Sequence, residues 1–144
     1  LRIVVFPEKT IFKYLEKNRK NTIEVFNGLH NYNNLFIVIM VRGIQNFYSR
    51  TYAAGLKFKS FHLQVSELAG KDLSVRDLKE AVMAVSNIKH SRVTLISHNH
   101  DDALVANKLH INFILLGTPK KRSKVVISEV IKDFSLLPNI LGLS

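Results

Sequence analysis

The chain contains no cysteine, which excludes a disulfide framework, thiolate catalysis and cysteine-ligated metal. It has no tryptophan and only three prolines and six glycines in 144 residues, and no proline-rich or glycine-rich linker interrupts it. No apolar run reaches the roughly 20 residues that a membrane span requires. The start of the chain lacks the charged region, apolar stretch and small-residue cleavage site of a secretory signal. These absences lead us to expect an intracellular protein with no membrane span. Acidic residues are also scarce: 11 Asp and Glu stand against 21 Lys and Arg, a formal net charge of +10. A surplus of that size attracts anions: nucleic acid, a phosphorylated ligand, an acidic protein or an acidic membrane surface. The same surplus is equally compatible with a solvated basic surface that has no partner.

Apolar residues make up 47% of the chain, enough for a globular core. Leu1 to Phe6 is a β-branched apolar run ended by Pro7 and reads as a buried strand. The segment carrying Ile11, Phe12, Leu15, Ile23, Phe26 and Leu29 reads as helix with a break near Asn18 to Asn21. Asn31 to Asn34 is a turn cluster, and Leu35 to Val41 is a second buried strand. Gly43 opens a helix that Gly55 closes. Ser60 to Val65 reads as a weaker strand. Ser74 to Val85 is the clearest helix: Ser74 caps it, and Val75, Leu78, Ala81, Val82 and Val85 form one apolar face. Arg92 to Ser97 and Ile111 to Gly117 are strands flanking a short helix, Asp102 to Leu109. Val125 to Ile127 is a possible edge strand, and Phe134 to Leu141 a small terminal helix.

Strand and helix alternate throughout, which predicts an α/β fold with a doubly wound, mainly parallel sheet. No repeat or linker appears, so residues 1–144 are expected to form one domain. In such folds ligands bind beyond the carboxyl ends of the strands. The residues following those ends are Pro7, Glu8 and Lys9; Arg42 and Gly43; Ser97 to Asp102; and Thr118 to Arg122. Lys71 precedes the capped helix. This rim is rich in cations.

The segment Val93 to Gly117 resembles the fourth motif of the haloacid dehalogenase (HAD) superfamily: a strand, an acidic loop, a small-residue helix and a second strand. Asp102 falls on the second acid of the family's Gly-Asp-x-x-x-Asp loop, and His98 replaces the first. The tail VIKDFSLLPNILG is similar to the family's closing segment. Lys71 suits the lysine of the third motif, which in that family steadies the phosphoryl group and the nucleophile. The resemblance implies a HAD-like three-layer sandwich, with too little chain between the first two strands for a sizeable cap domain. The first motif departs from the family. Where the family has Asp-x-Asp, with nucleophile first and acid/base second, this chain has Pro7 at the first position and Lys9 on or near the second. The serine or threonine of the second motif corresponds to Val41 or Arg42.

Aspartyl-phosphate chemistry requires a carboxylate nucleophile and a magnesium held by hard oxygen ligands. Proline supplies neither. Glu8 is one residue away, where its direction at the strand end differs; otherwise it is a solvated loop carboxylate. His98, His100 and Asp102 form an H-x-H-x-D series whose ligand types suit zinc or another transition metal, without an evident fourth ligand; otherwise they are exposed loop residues. Asp101 and Asp102 after a strand also resemble the acids of PIN-like and NYN-like nucleases, whose sites need further carboxylates at other strand ends. Lys120, Lys121, Arg122 and Lys124 form the densest basic run. With Lys9, Arg42 and Lys71 they are the candidate phosphate or anion ligands.

The expectation is therefore a HAD-like domain lacking phosphatase activity, without a cofactor, that serves as an anion-binding or protein- or nucleic-acid-interaction module. The alternative is an active phosphohydrolase or metal-dependent nuclease built on Glu8, Lys71 and Asp102, the one case in which magnesium would be needed.

Overall fold

The computed structural model describes residues 2–58, 62–85, 92–120 and 124–143. Six parallel strands form one sheet: β1 (Arg2–Pro7), β2 (Leu35–Val41), β3 (Leu63–Glu67), β4 (Val93–Ser97), β5 (Asn112–Leu116) and β6 (Glu129–Ile131), in the order β3-β2-β1-β4-β5-β6. The helices are α1 (Glu8–Lys17), α2 (Arg19–Leu29), α3 (Ile44–Ala54), α4 (Val75–Val85), α5 (Asp102–Lys108) and α6 (Leu137–Ile140), the last continuing a short 3-10 turn, Phe134–Leu136. This is the doubly wound α/β layout, and no cap interrupts the described residues: α1 and α2 alone join β1 to β2.

The central strands are apolar along their whole length because both faces are covered. On one face Val4, Phe6, Ile37 and Ile39 pack under Ile11, Phe12, Phe26, Phe47 and Phe134. On the other, Ile3, Val5, Val38 and Leu95 pack under Leu78, Ala81, Val82, Ala103 and Ala106. The first layer is aromatic. Phe26 lies edge-on to Phe6 at 4.8 Å and to Phe134 at 5.0 Å, and Tyr14 meets Phe134 at 5.3 Å. These separations suit the ring quadrupole, which favours edge-to-face pairs.

Local chemistry sets the element ends. Pro7 closes β1 and stands immediately before α1, its φ of −67° already suited to the turn. Glu8, weighed above as a loop carboxylate, therefore stands in the first turn of α1. The break between α1 and α2 is confined to Asn18, and Thr22 Oγ1 donates to Asn18 O at 2.8 Å and Tyr14 O at 3.0 Å. Gly55 ends α3 at a φ of +89°, where a side chain would be strained. Ser74 caps α4, its Oγ accepting from Asp77 N at 3.1 Å. The Asp77 carboxylate turns to Ala69 N at 3.3 Å and so pins the loop ahead of the helix.

Two strand expectations shift. β3 runs from Leu63 to Glu67, not from Ser60 to Val65, because it follows β2 to its end, with Glu67 opposite Val41. Residues 60 and 61 lie outside the described chain. The edge strand β6 is Glu129–Ile131, not Val125 to Ile127. The Asn107 side chain holds both Val126 backbone groups, at 2.8 and 3.0 Å, and pairing with β5 begins only at Ser128 N, which donates to Phe113 O.

Replacing Phe134 by alanine should destabilise the fold by about 3–5 kcal/mol, since a fully buried ring at the centre of the aromatic layer is lost. Ser74→Ala should cost about 1 kcal/mol through its cap. Urea unfolding of both variants checks the ratio; equal losses would contradict the packing described.

Candidate functional site

The chain leaves β1 toward β2 on one side and reaches β4 on the other, so strand order reverses between β1 and β4. At their carboxyl ends lies a cavity of about 60 Å³, room for about four waters or one small anion group. Its walls include Pro7, Glu8 and Lys9 from the β1–α1 junction, Met40 and Arg42 from the end of β2, Leu68, Lys71, Asp72 and Leu73 ahead of α4, and His98, Asn99 and Asp102 after β4. The structure thus brings Glu8, Lys9, Arg42, Lys71, His98 and Asp102 to one place.

One hydrogen-bonded chain crosses the floor of this junction. Ser97 Oγ donates to Asp102 Oδ2 at 2.7 Å and accepts from Asn99 N at 3.0 Å. Thr10 Oγ1 is 2.7 Å from His98 Nδ1 and 3.5 Å from Ser97 Oγ, and it accepts from His98 N at 3.3 Å. A hydroxyl has one proton to give, so which of Thr10 Oγ1 and His98 Nδ1 donates is set by the imidazole tautomer. Burial, reinforced by the charges of Lys13 and Lys9, holds His98 below its ordinary value, in keeping with a neutral ring. The threonine in the first turn of α1 thereby ties α1 to the β4 loop.

Of the three carboxyls on the cavity wall, Glu8 and Asp102 are buried and Asp72 is exposed. Burial pushes Asp102 above its ordinary 3.8; the Ser97 hydroxyl opposes this, Asp72 and Asp101 add to it, and Lys9 opposes it. Burial likewise raises Glu8 above 4.5, against the Arg42 backbone amide and the charges of Arg50, Arg42 and Lys9. Glu8 Oε2 has no hydrogen-bond partner. Glu8 is therefore a buried carboxyl in a helical turn, not a solvated loop residue. Lys9, Arg42 and Lys71 are exposed at the rim.

The structure does not bring the side chains of the H-x-H-x-D series together as one ligand group. β4 ends at Ser97 and the following residues turn into α5, so alternate side chains no longer share a face. His98 binds Thr10, Asp102 binds Ser97, and the buried His100 leaves Nε2 unpartnered. Among the described residues no group of three His, Asp or Glu side chains is placed to hold a metal. Of the basic run, Lys120 lies outside the cavity wall and meets Asp101 Oδ1 at 3.6 Å on the surface. Lys124 is exposed, and Lys121 and Arg122 lie outside the described residues. Sequence reasoning missed Thr10 and Asp72. Thr10 sits three residues beyond the strand end, on the helical side facing β4, and only the immediate start of α1 at Glu8 puts it there.

No family model and no curated sequence matches the chain. Solved structures do. YfnB of Bacillus subtilis, named as a HAD-hydrolase and crystallised with magnesium, superposes with a TM-score of 0.70 at 12% identity; the match covers 91% of this chain and 60% of that one. A dehalogenase with a bound intermediate gives 0.68 at 12% identity, covering 100% and 98%. D,D-heptose 1,7-bisphosphate phosphatase from Burkholderia thailandensis gives 0.65 at 9% identity over the whole of both chains. The fold is thus the HAD-like Rossmannoid sandwich that the fourth-motif resemblance implies.

A carboxyl whose folded pKa is raised contributes stability that is fully present below its unfolded value and is lost as pH rises through the folded value. Glu8→Gln should therefore melt higher than the parent near neutral pH, with the advantage fading below about pH 4. Thermal melts across pH check this. A difference that stays constant from pH 4 to 8 would show that the Glu8 charge is not opposed by burial.

Proposed function

We propose that this HAD-like chain does not transfer phosphoryl groups and instead binds a small anion at the carboxyl edge between β1 and β4. The observation that carries the reading is Pro7. It ends β1 on the wall of the cavity, where the resemblance puts the family's nucleophile, and proline has no atom that can attack phosphorus. The nearest carboxyl, Glu8, sits in the first turn of α1 with an unpartnered oxygen, in surroundings that favour its neutral form.

The donor set does not suit magnesium, which takes oxygen ligands in near-octahedral geometry. One oxygen of Asp102 already accepts from Ser97. Three cations, Lys9, Arg42 and Lys71, share the cavity wall with Glu8, Asp72 and Asp102; burial opposes the charged forms of Glu8 and Asp102, so the cations outnumber the one exposed carboxylate, Asp72, a balance that favours an anion. No step is therefore derived through a metal. Arg42 offers a planar fork and the lysines offer point charges, a combination that suits phosphate or carboxylate oxygens.

The rival, a phosphohydrolase using Glu8, Lys71 and Asp102, is supported by their meeting in one cavity. It requires magnesium-dependent turnover that Asp102→Ala or Glu8→Gln abolishes. We expect no hydrolysis of p-nitrophenyl phosphate above the buffer rate, with or without magnesium. Orthophosphate binding by calorimetry should weaken about tenfold in Lys71→Ser, about 1.4 kcal/mol at 25 °C. Turnover dependent on either carboxyl would overturn the proposal.

A looser electrostatic contact with polyanions rests on the charge of +10 and on the exposed Lys120 and Lys124. Affinity for oligonucleotides should fall steeply with salt and show little sequence preference. Replacing Lys120, Lys121 and Arg122 by serine should flatten the salt slope in fluorescence anisotropy; an unchanged slope would remove the basic run from the account.

A further inference from the structure

Histidine is the side chain whose ordinary titration falls near neutral pH, and the anion site proposed above leaves His98 without a role. His98 stands where β4 gives way to the turn before α5 and lines the carboxyl-edge cavity with Lys9, Arg42 and Lys71. Its backbone N–H donates to Thr10 Oγ1 at 3.3 Å, and its ring Nδ1 lies 2.7 Å from the same oxygen. One buried threonine thus holds both the backbone and the ring, and the ring cannot turn without losing the shorter contact. Nε2 is the atom left over. It makes no hydrogen bond with the described residues, and it is not shut away from solvent as the Nε2 of His100 is. It is therefore the accessible polar atom of a pinned ring, at the wall of a cavity of about 60 Å³.

Thr10 accommodates both protonation states of that ring. A hydroxyl donates once and can accept from two sides. When the ring is neutral with its proton on Nε2, Thr10 donates to Nδ1. When the ring is protonated, Nδ1–H donates to Thr10, and the threonine proton turns to Ser97 Oγ at 3.5 Å. Both states place an N–H on Nε2, the donor that an oxyanion needs. The surroundings decide between them. Burial, then Lys13 and Lys9 on α1, oppose a charge on the free ring. Arg42 from the end of β2 and Lys71 ahead of α4 share its wall, as do the carboxyls of Glu8, Asp72 and Asp102, with Asp101 next to the last. Burial opposes the charged forms of Glu8 and Asp102. A dianion beside Nε2 supplies the counter-charge that favours the imidazolium.

We propose that His98 is the proton-linked ligand of this site: its Nε2–H faces a small tetrahedral oxyanion, and the cavity takes up that anion together with a proton from solvent, which comes to rest on the imidazole. This rests on the anion-binding reading of the cavity and adds both the class of anion and the residue that couples its binding to pH. A ring that the ligand makes more basic adds affinity that is full below its free-state pKa and is lost as pH rises through its bound-state pKa.

NMR titration of the histidine rings between about pH 5 and 8, without and with saturating sulfate at constant ionic strength, tests the proposal. Sulfate stays doubly ionised over that range, so any proton taken up belongs to the protein. The His98 pKa should rise by about one unit in sulfate, equivalent to about tenfold tighter binding at the acid end. His110, exposed beyond the far end of α5, should not move. Calorimetry over the same range should show sulfate affinity falling as pH rises. His98→Gln, which keeps an N–H donor near Nε2 but has no titration, should still bind and should flatten that fall. A His98 pKa unmoved by saturating sulfate, or a fall that His98→Gln retains in full, would overturn the role of His98 while leaving the anion site in place. Sulfate and orthophosphate that bind at no pH would remove the anion site and this role with it.

Discussion

The structure depends on one constraint: β1 must be buried on both faces and paired on both edges. Val4, Val5 and Phe6 have no exposure, and their strand is flanked by β2 and β4. A chain that places its first strand in the middle must leave it in one direction and return to it from the other. That reversal keeps helices from covering the carboxyl ends of β1 and β4 together, which is why open-sheet proteins bind ligands there. The cavity holding Glu8, Lys71 and Asp102 therefore follows from topology, before any side chain is chosen.

What the side chains add departs from the acid pattern of the family that the sequence resembles. Asp102, the residue that most resembles a family acid, is tied to Ser97 at the end of its own strand. His98, where the resemblance expects the first acid of that loop, is a neutral partner of Thr10. These bonds fasten α1 to the β4 loop and use polar groups for architecture. The exposed charged groups on the cavity wall are Lys9, Arg42, Lys71 and Asp72, three cations and one carboxylate. Burial opposes the charged forms of Glu8 and Asp102 inside, and cations outnumber carboxylates among the exposed wall residues.

Much of the fold was legible because the period and composition of its segments agree with it. Leu35 to Val41 is apolar at every position, the mark of a strand covered on both sides, and Ser74 stands before the apolar face of α4 as a cap should. The edges were less legible. β3 is half-exposed along most of its length, so its limits come from its register with β2 and not from a pattern of its own. The segment 125–127 has strand-like residues, yet Asn107 captures its backbone, a long-range contact that no local period reveals. At the site, the order of elements identified which residues gather. It did not show that Glu8 is helical and buried, because that follows from α1 starting directly after Pro7.

The central proposal is that the carboxyl-edge cavity of this HAD-like sheet binds an anion and transfers no phosphoryl group. A ¹⁵N-resolved NMR titration with orthophosphate, run with and without magnesium on this 16.4 kDa chain, addresses it most directly. The account predicts saturable shifts confined to the amides around Lys9, Arg42, Lys71 and Asn99, with the same midpoint whether or not magnesium is present. Shifts at those amides that appear only when magnesium is added would contradict it, because they would mean that the buried carboxyls gather a metal after all.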